Sequence, residues 1–204
     1  MLRADAAGAI RKASEEDVPG LADALARAFE NDPGFSHLLP VGEGRAERLR
    51  LFFETELATI GIPSGLAWTT DELIGGAIWL PPDAWRVPVS TTVREVGPMV
   101  RVFGRRLPLA LRSRLRMERR HPRGPSHTYL AVMGVAPEWQ GKGLGTALMR
   151  PVLEALDADR RPAYLEASTP RSRELYRRNG FEVTGEFDLP SGGPPIWQMW
   201  REPG

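Results

Sequence analysis

The chain has 204 residues, 42% of them hydrophobic and 26% charged, with a net charge of +1 and no cysteine. That size and balance point to a single soluble globular domain over 1–204 with a sizeable core. The absence of cysteine excludes disulfides, thiolate metal sites and a cysteine nucleophile, and no apolar run approaches the roughly 18–20 residues of a membrane span.

The N-terminal MLRADAAGAIRKAS lacks the long apolar core of a secretory leader, so the expected home is the cytoplasm, with no membrane partner. Ile10–Ala13 reads as a short first strand, and Ser14-Glu15-Glu16-Asp17 resembles a helix-capping box. Leu21, Ala24, Leu25, Ala28 and Phe29 recur at helical spacing, which predicts an amphipathic helix over about 17–30. Asn31-Asp32-Pro33-Gly34 breaks it. A second helix is expected at about 43–61, with Leu49, Phe52, Phe53, Leu57 and Ile60 on one face. Leu66–Thr70 and Leu73–Leu80 read as a two-stranded hairpin, stopped by Pro81-Pro82.

Residues 83–126 form a proline-punctuated, partly helical insertion. Within it, residues 101–123 hold nine Arg and one Glu, a charge of +8 that leaves −7 for the remainder. The stretch reads either as a solvated helix face and loop or as a patch for an anion or acidic partner. No nucleic-acid-binding motif accompanies the charge, so nucleic acid is not expected. The acidic remainder suits a cationic amine as ligand.

Farther on, His127–Val135 reads as a strand with a bulge expected at Gly134. Gly141–Leu156 reads as a helix, Ala163–Ala167 as a strand, and Arg171–Asn179 as a helix ended by Gly180. Phe181–Phe187 and Pro195–Arg201 complete the set as strands. The alternation indicates an α/β domain with a mixed sheet.

The most informative stretch is Gln140-Gly141-Lys142-Gly143-Leu144-Gly145-Thr146, between that strand and the following helix. Glycines let a backbone turn sharply and approach a ligand, and the unpaired N–H groups of a helix start hold an anion. The dinucleotide fingerprint G-x-G-x-x-G read from Gly141 meets Thr146 where glycine or alanine belongs, and read from Gly143 it meets Leu148. Walker A has no match. A third template, Q/R-x-x-G-x-G/A after a strand, is met in full by Gln140, Gly143 and Gly145.

That template is the acetyl-CoA signature of the GNAT N-acetyltransferases, which the chain resembles over almost its whole length. Within them it is similar to the puromycin N-acetyltransferase group, through AFENDP (28–33), AIWLPP (77–82), His127–Leu130, Gly134–Pro137 and LEASTPRSRELYRRNGFEV (165–183). The resemblance implies a GNAT-type fold, a mixed, mostly antiparallel sheet flanked by helices, and transfer of acetyl from acetyl-CoA to an amine. It implies that residues 140–146 clasp the CoA pyrophosphate, with Lys142 adding charge or pointing to solvent. Met133, Gly134 and Val135 would pair with the pantetheine arm and offer an oxyanion N–H. Tyr176, with Gly180 and Phe181, matches the family's Y-x-x-x-G-F, whose tyrosine protonates the leaving thiolate. Ser172 stands where the puromycin group carries a cofactor-contacting Asn.

Glu166 and His127 are the candidates for moving the amine proton, Glu166 serving equally well as a structural carboxylate. The relatives' acceptor pocket implicates Asp32, Phe35, Phe52 and Trp79, although Asp32 also suits a cap on the turn at Pro33. With three His and no spaced ligand cluster, no metal is expected. The expected reaction is direct attack in a ternary complex, since no cysteine is present to carry an acetyl group. The expected acceptor is a primary amine of a small molecule. A protein or peptide N-acetyltransferase and a non-catalytic acyl-CoA sensor are the alternatives, and a homodimer is left open.

Overall fold

The structure, a computed structural model, describes residues 8–82, 84–86 and 89–204. Seven strands form one sheet: β1 (Ile10–Lys12), β2 (Ala67–Thr70), β3 (Gly75–Leu80), β4 (Thr128–Val135), β5 (Ala163–Ala167), β6 (Glu182–Asp188) and β7 (Pro195–Arg201). Their order is β1-β2-β3-β4-β5-β7-β6. Every pairing is antiparallel except β4 with β5. The helices are α1 (Val18–Ala28), α2 (Pro33–Leu38), α3 (Arg45–Glu56), α4 (Val89–Phe103), α5 (Leu107–Arg120), α6 (Leu144–Ala158) and α7 (Pro170–Arg178).

Strand side chains alternate between the two faces, and each face has its own core. Trp79, Leu130, Ala163, Leu165 and Ala167 pack with Leu144, Leu148 and Met149 of α6 and Tyr176 of α7. Ile78 and Leu80 pack on the other face with Leu21, Leu25, Leu49, Phe53 and Val102 from α1, α3 and α4. Fully burying such a Leu or Phe side chain stabilises the fold by about 1.5–3 kcal/mol. At the start of α1, the Asp17 carboxylate accepts from Ser14 N–H at 2.8 Å and from both terminal nitrogens of Arg11 at 2.7 and 2.8 Å.

Two local features differ from expectation. The segment that breaks the first helix itself forms a short helix, because Asp32 caps it by accepting from Phe35 N–H at 3.0 Å and Pro33 opens it. The irregularity of β4 lies not at Gly134, which pairs with Gly76, but at Ala131: Ile78 faces Val132 and Trp79 faces Leu130. Gly134 instead lets α1 lie against the strand, since a Cβ there would sit 2.9 Å from Phe29 Cε2 and 3.0 Å from Ala28 Cβ.

Candidate active site

The bulge at Ala131 opens the sheet. β4 pairs with β5 only over Thr128–Leu130, opposite Ala163–Leu165. Beyond that point the two strands part, and the β5-facing edge of Ala131–Val135 has no strand partner among the described residues. An extended ligand arm could add its own backbone-like groups to that edge.

The glycine loop sits where β4 ends. A short 3₁₀ turn, Pro137–Trp139, leads to Gln140 in extended conformation. Gly141 and Gly143 then adopt φ of +78° and +86°, which side chains other than glycine rarely tolerate. Gly143 caps α6, and the first bond of the helix runs from Ala147 N–H to Gly143 O at 3.1 Å. The N–H groups of Leu144, Gly145 and Thr146 therefore have no acceptor within the helix, which suits a bound anion. A Cβ on Gly143 would meet nothing within 4 Å, whereas one on Gly145 would lie 2.8 Å from Leu175 Cδ2. Gly143 leaves the approach to the loop clear; Gly145 lets α6 and α7 pack closely.

The loop's side chains hold the turn in shape. Gln140 Nε2 donates to Val135 O at 2.9 Å, and its Oε1 accepts from Arg171 Nη1 at 2.8 Å. Lys142 Nζ donates to Glu138 O at 2.7 Å and lies 4.5 Å from the Trp139 ring centroid. It is folded back onto the loop, not extended into solvent. Ser172 is engaged in capping α7: it bonds Thr169 Oγ1 at 2.9 Å and donates to Thr169 O at 3.0 Å. Thr146 Oγ1 accepts from Asn179 Nδ2 at 3.1 Å.

On the opposite face lies a cavity of about 350 Å³, walled by Phe29, Phe35, Phe52, Phe103, Trp85 and Tyr129, with Glu166 among its polar lining. The Glu166 side chain is only 4% exposed. Its Oε2 accepts from the Tyr129 hydroxyl at 2.5 Å and its Oε1 from the Tyr164 hydroxyl at 2.9 Å. Sheet geometry dictates this cluster. Tyr164 and Glu166 share one face of β5, and Tyr129 is the cross-strand neighbour of Tyr164. Burial pushes the Glu166 carboxyl up to about 7, against the opposing pull of its two tyrosine donors. Burial, and then the charge of Glu166, raises both tyrosines well above the usual phenol range.

His121, at the C-terminal end of α5, stacks on Trp85 at 4.1 Å and places Nδ1 3.9 Å from Glu166 Oε1. Its Nε2 lies 3.0 Å from His127 Nε2, and His127 Nδ1 bonds Pro125 O at 2.8 Å. A carbonyl only accepts, so His127 carries its proton on Nδ1. In the neutral pair His121 then donates through Nε2. Burial pushes His121 down to about 3, which keeps it neutral near pH 7. His127 is thus one step removed from Glu166 and outside the cavity lining.

Asp32 and Phe35 both line the cavity, as does Phe52. Asp32 is fully engaged, with Oδ1 on Phe35 N–H and Oδ2 accepting from Ser168 Oγ at 2.5 Å. Trp79 must be corrected: it is completely buried in the core of the other face and absent from the cavity, because Ile78 and Leu80, its neighbours on β3, point there instead. Tyr176 is buried beside Phe181, with ring centroids 6.1 Å apart. Burial, and then the Asp32 charge, raises its phenol above the usual range. Tyr129, Tyr164, His121 and Arg171 are the neighbours that sequence reasoning missed. Tyr164 carried a signal in strand alternation, two residues from Glu166; Tyr129, His121 and Arg171 carried none. Among the described residues no group of three or more His, Asp or Glu could hold a metal ion. No helix among them is long and apolar enough to cross a membrane.

Comparison with known proteins fits this geometry. Residues 114–183 match the model of the acetyltransferase (GNAT) domain. A 77-residue stretch is 34% identical to an uncharacterized N-acetyltransferase of Schizosaccharomyces pombe, covering 37% of this chain and 31%, about a third, of that protein. Among solved structures, histone acetyltransferase HPA2 and related acetyltransferase from Corynebacterium glutamicum is 25% identical, with 97% of each chain covered and a TM-score of 0.73. Arylalkylamine N-acetyltransferase 2 from Aedes aegypti shares the fold at 13% identity, 96% and 98% coverage and a TM-score of 0.63. The PaiA N-acetyltransferase of Thermoplasma acidophilum, in complex with coenzyme A, shares it at 16% identity, 95% and 97% coverage and a TM-score of 0.58. The chain has the GNAT fold, with its mixed seven-stranded sheet flanked by helices.

Proposed function

We propose that this chain is an acetyl-CoA-dependent N-acetyltransferase whose acceptor is a primary amine of a small molecule with an apolar body. The observation that carries the reading is one juxtaposition. A helix start with unpaired N–H groups and a strand edge without a strand partner among the described residues lie at one end of β4, and an aromatic-walled cavity with a buried carboxylate borders the same strand.

In this reading the pyrophosphate of acetyl-CoA lies on the N–H groups of 141–146. The pantetheine arm pairs with Met133–Val135, where a backbone N–H faces the thioester oxygen. The amine in the cavity gives a proton to Tyr129, which passes its own to Glu166 Oε2. A base whose pKa is near the working pH suits this task. The neutral nitrogen attacks the thioester carbon, the C–S bond breaks, and the thiolate takes the Tyr176 proton. Arg171, Gln140, Lys142 and Ser172 keep the loop and the α7 start in shape instead of carrying chemistry.

The resemblance to the puromycin group supports a primary amine. The aromatic walls of the cavity favour an acceptor with an apolar body, whereas the histone acetyltransferase of Corynebacterium glutamicum would invite a protein acceptor. Tyr176 and Glu166 favour an enzyme over a sensor. CoA release from acetyl-CoA, measured across aromatic amines, aliphatic amines, aminoglycosides, amino acids and short peptides, tests the reading. Release with apolar primary amines is expected; release with peptides alone would replace it with the protein reading.

A further inference from the structure

The end of β5 leads straight into α7. Ser168 follows the last strand residue, Ala167, and Thr169 then caps the helix that carries Tyr176, its Oγ1 accepting from Ser172 N–H at 3.0 Å. Across the sheet, α1 lies against Gly134 of β4 through Ala28 and Phe29. Asp32 stands three residues beyond Phe29 and caps α2 through Oδ1. Ser168 and Asp32 are 136 residues apart in the chain, yet Ser168 Oγ donates to Asp32 Oδ2 at 2.5 Å. A hydroxyl donating to a carboxylate at this distance is among the stronger hydrogen bonds that proteins form.

The place of this bond gives it meaning. Strands β4 and β5 pair only as far as Leu130 and Leu165, so Ser168 lies beyond the end of their ladder. The bond therefore ties the helices on β4 to the end of β5 past the point where the two strands part. Both residues line the aromatic cavity, and Asp32 is 7% exposed. Gly34 leaves room for the carboxylate, since a Cβ there would sit 3.1 Å from Asp32 Oδ1. Burial first, and then the charge of this same carboxylate, raises the Tyr176 phenol. One side chain thus meets the acceptor wall through Phe35 N–H and the segment leading to α7 through Ser168.

We propose that Ser168 and Asp32 form a positioning bridge that holds Tyr176 in register with the acceptor cavity, Asp32 serving this bridge instead of binding the acceptor's ammonium group. This rests on the acetyl-transfer reading and adds Ser168 to its machinery. Each Asp32 oxygen already accepts from the protein, which suits a structural link better than a ligand contact. In that reading the amine attacks from the cavity while the thiolate forms within reach of Tyr176. A misplacement of about 1 Å between such groups can cost on the order of 100-fold in rate.

The test measures turnover of benzylamine and acetyl-CoA in three variants. Ser168→Thr keeps the hydroxyl, Ser168→Val has the same shape without it, and Ser168→Ala removes it with the least bulk. Ser168→Thr should keep kcat within about 3-fold of wild type, and the other two should fall about 10-fold or more. The benzylamine KM and the calorimetric acetyl-CoA Kd should stay within about 2-fold in all three. Adding Asp32→Ala to Ser168→Ala should lower kcat no further than the worse single variant, as for two parts of one link. Equal kcat in Ser168→Thr and Ser168→Val overturns the proposal. So does a benzylamine KM that rises about 10-fold in Ser168→Val at unchanged kcat, which would place Ser168 on the acceptor. Loss of acetyl-CoA binding along with turnover in both Ser168→Val and Ser168→Ala would make the bond a support of the fold and also overturns it. If wild type itself turns over no amine, the acetyl-transfer reading fails and takes the bridge's role with it.

Discussion

The Tyr129 hydroxyl lies 2.5 Å from Glu166 Oε2, while Tyr164 occupies the other carboxylate oxygen. Each Glu166 oxygen thus already accepts from a tyrosine, and Tyr129, which also lines the cavity, is the short relay between a bound amine and the carboxylate. Glu166→Gln should lower kcat by about 100-fold or more, and Tyr129→Phe by a similar factor, with acetyl-CoA affinity little changed. Wild-type kcat should rise with pH through an acid limb near 7, the value burial gives Glu166, and Glu166→Gln should lose that limb. A Tyr129→Phe variant with wild-type kcat would rule out this route.

The same burial makes a stability prediction of definite sign. The folded Glu166 carboxyl titrates near 7, above the ordinary 4.5, so between those values the folded state holds more protons than the unfolded one. Its contribution to stability is thus present below about 4.5 and lost as pH rises through 7. Glu166→Gln should gain in unfolding temperature relative to wild type as pH goes from 5 to 8. His121 acts in the opposite sense: its folded value of about 3 lies below the ordinary 6.5, so stability is lost as pH falls below 6.5. Taking the difference between wild type and Glu166→Gln removes most of that common background. A difference that stays flat, or shrinks toward pH 8, would contradict the burial argument.

The loop should separate backbone from side chain. Gly143 holds a φ of +86°, so Gly143→Ala costs about 1–2 kcal/mol in strain and sets a methyl group at the open mouth of the loop. Acetyl-CoA affinity should fall about 10-fold by calorimetry. Lys142 is tied to Glu138 O and Trp139, so Lys142→Ala should weaken acetyl-CoA by less than about 3-fold. A larger loss from Lys142→Ala than from Gly143→Ala would move anion binding from the backbone to the side chain.

Tyr176 is buried and keeps its proton well beyond neutrality, as a donor to a forming thiolate must. Tyr176→Phe should reduce kcat by about 100-fold and leave the acetyl-CoA dissociation constant within about 2-fold. Equal kcat would reduce this residue to a packing role against Phe181.

Much of the fold was readable because strand alternation and helical spacing are strong where one face is buried. β5 and β7 were delimited to the residue, and the loop from Gln140 to Thr146 was recognised from its glycines. Element ends and kinks were not readable. Nothing in Ala131 marks it as the bulged residue, since the shift shows only in the register of β4 against β3. Trp79 was assigned to the acceptor pocket because it precedes Pro81-Pro82, yet pleat parity sends it to the opposite core. Glu166 stands alone in the sequence reading; Tyr164 follows from strand alternation, and Tyr129 only once the parallel register of β4 and β5 is known.

The most direct test of the central claim is mass spectrometry of the products after incubating the protein with benzylamine and acetyl-CoA whose acetyl group is deuterated. The account predicts labelled N-acetylbenzylamine, formed at a rate that depends on Tyr176 and Glu166, with no labelled acetyl group accumulating on the protein chain. Confirmed binding of acetyl-CoA without labelled amide from benzylamine or any other amine, or an acetylated protein that precedes the amide, would contradict it.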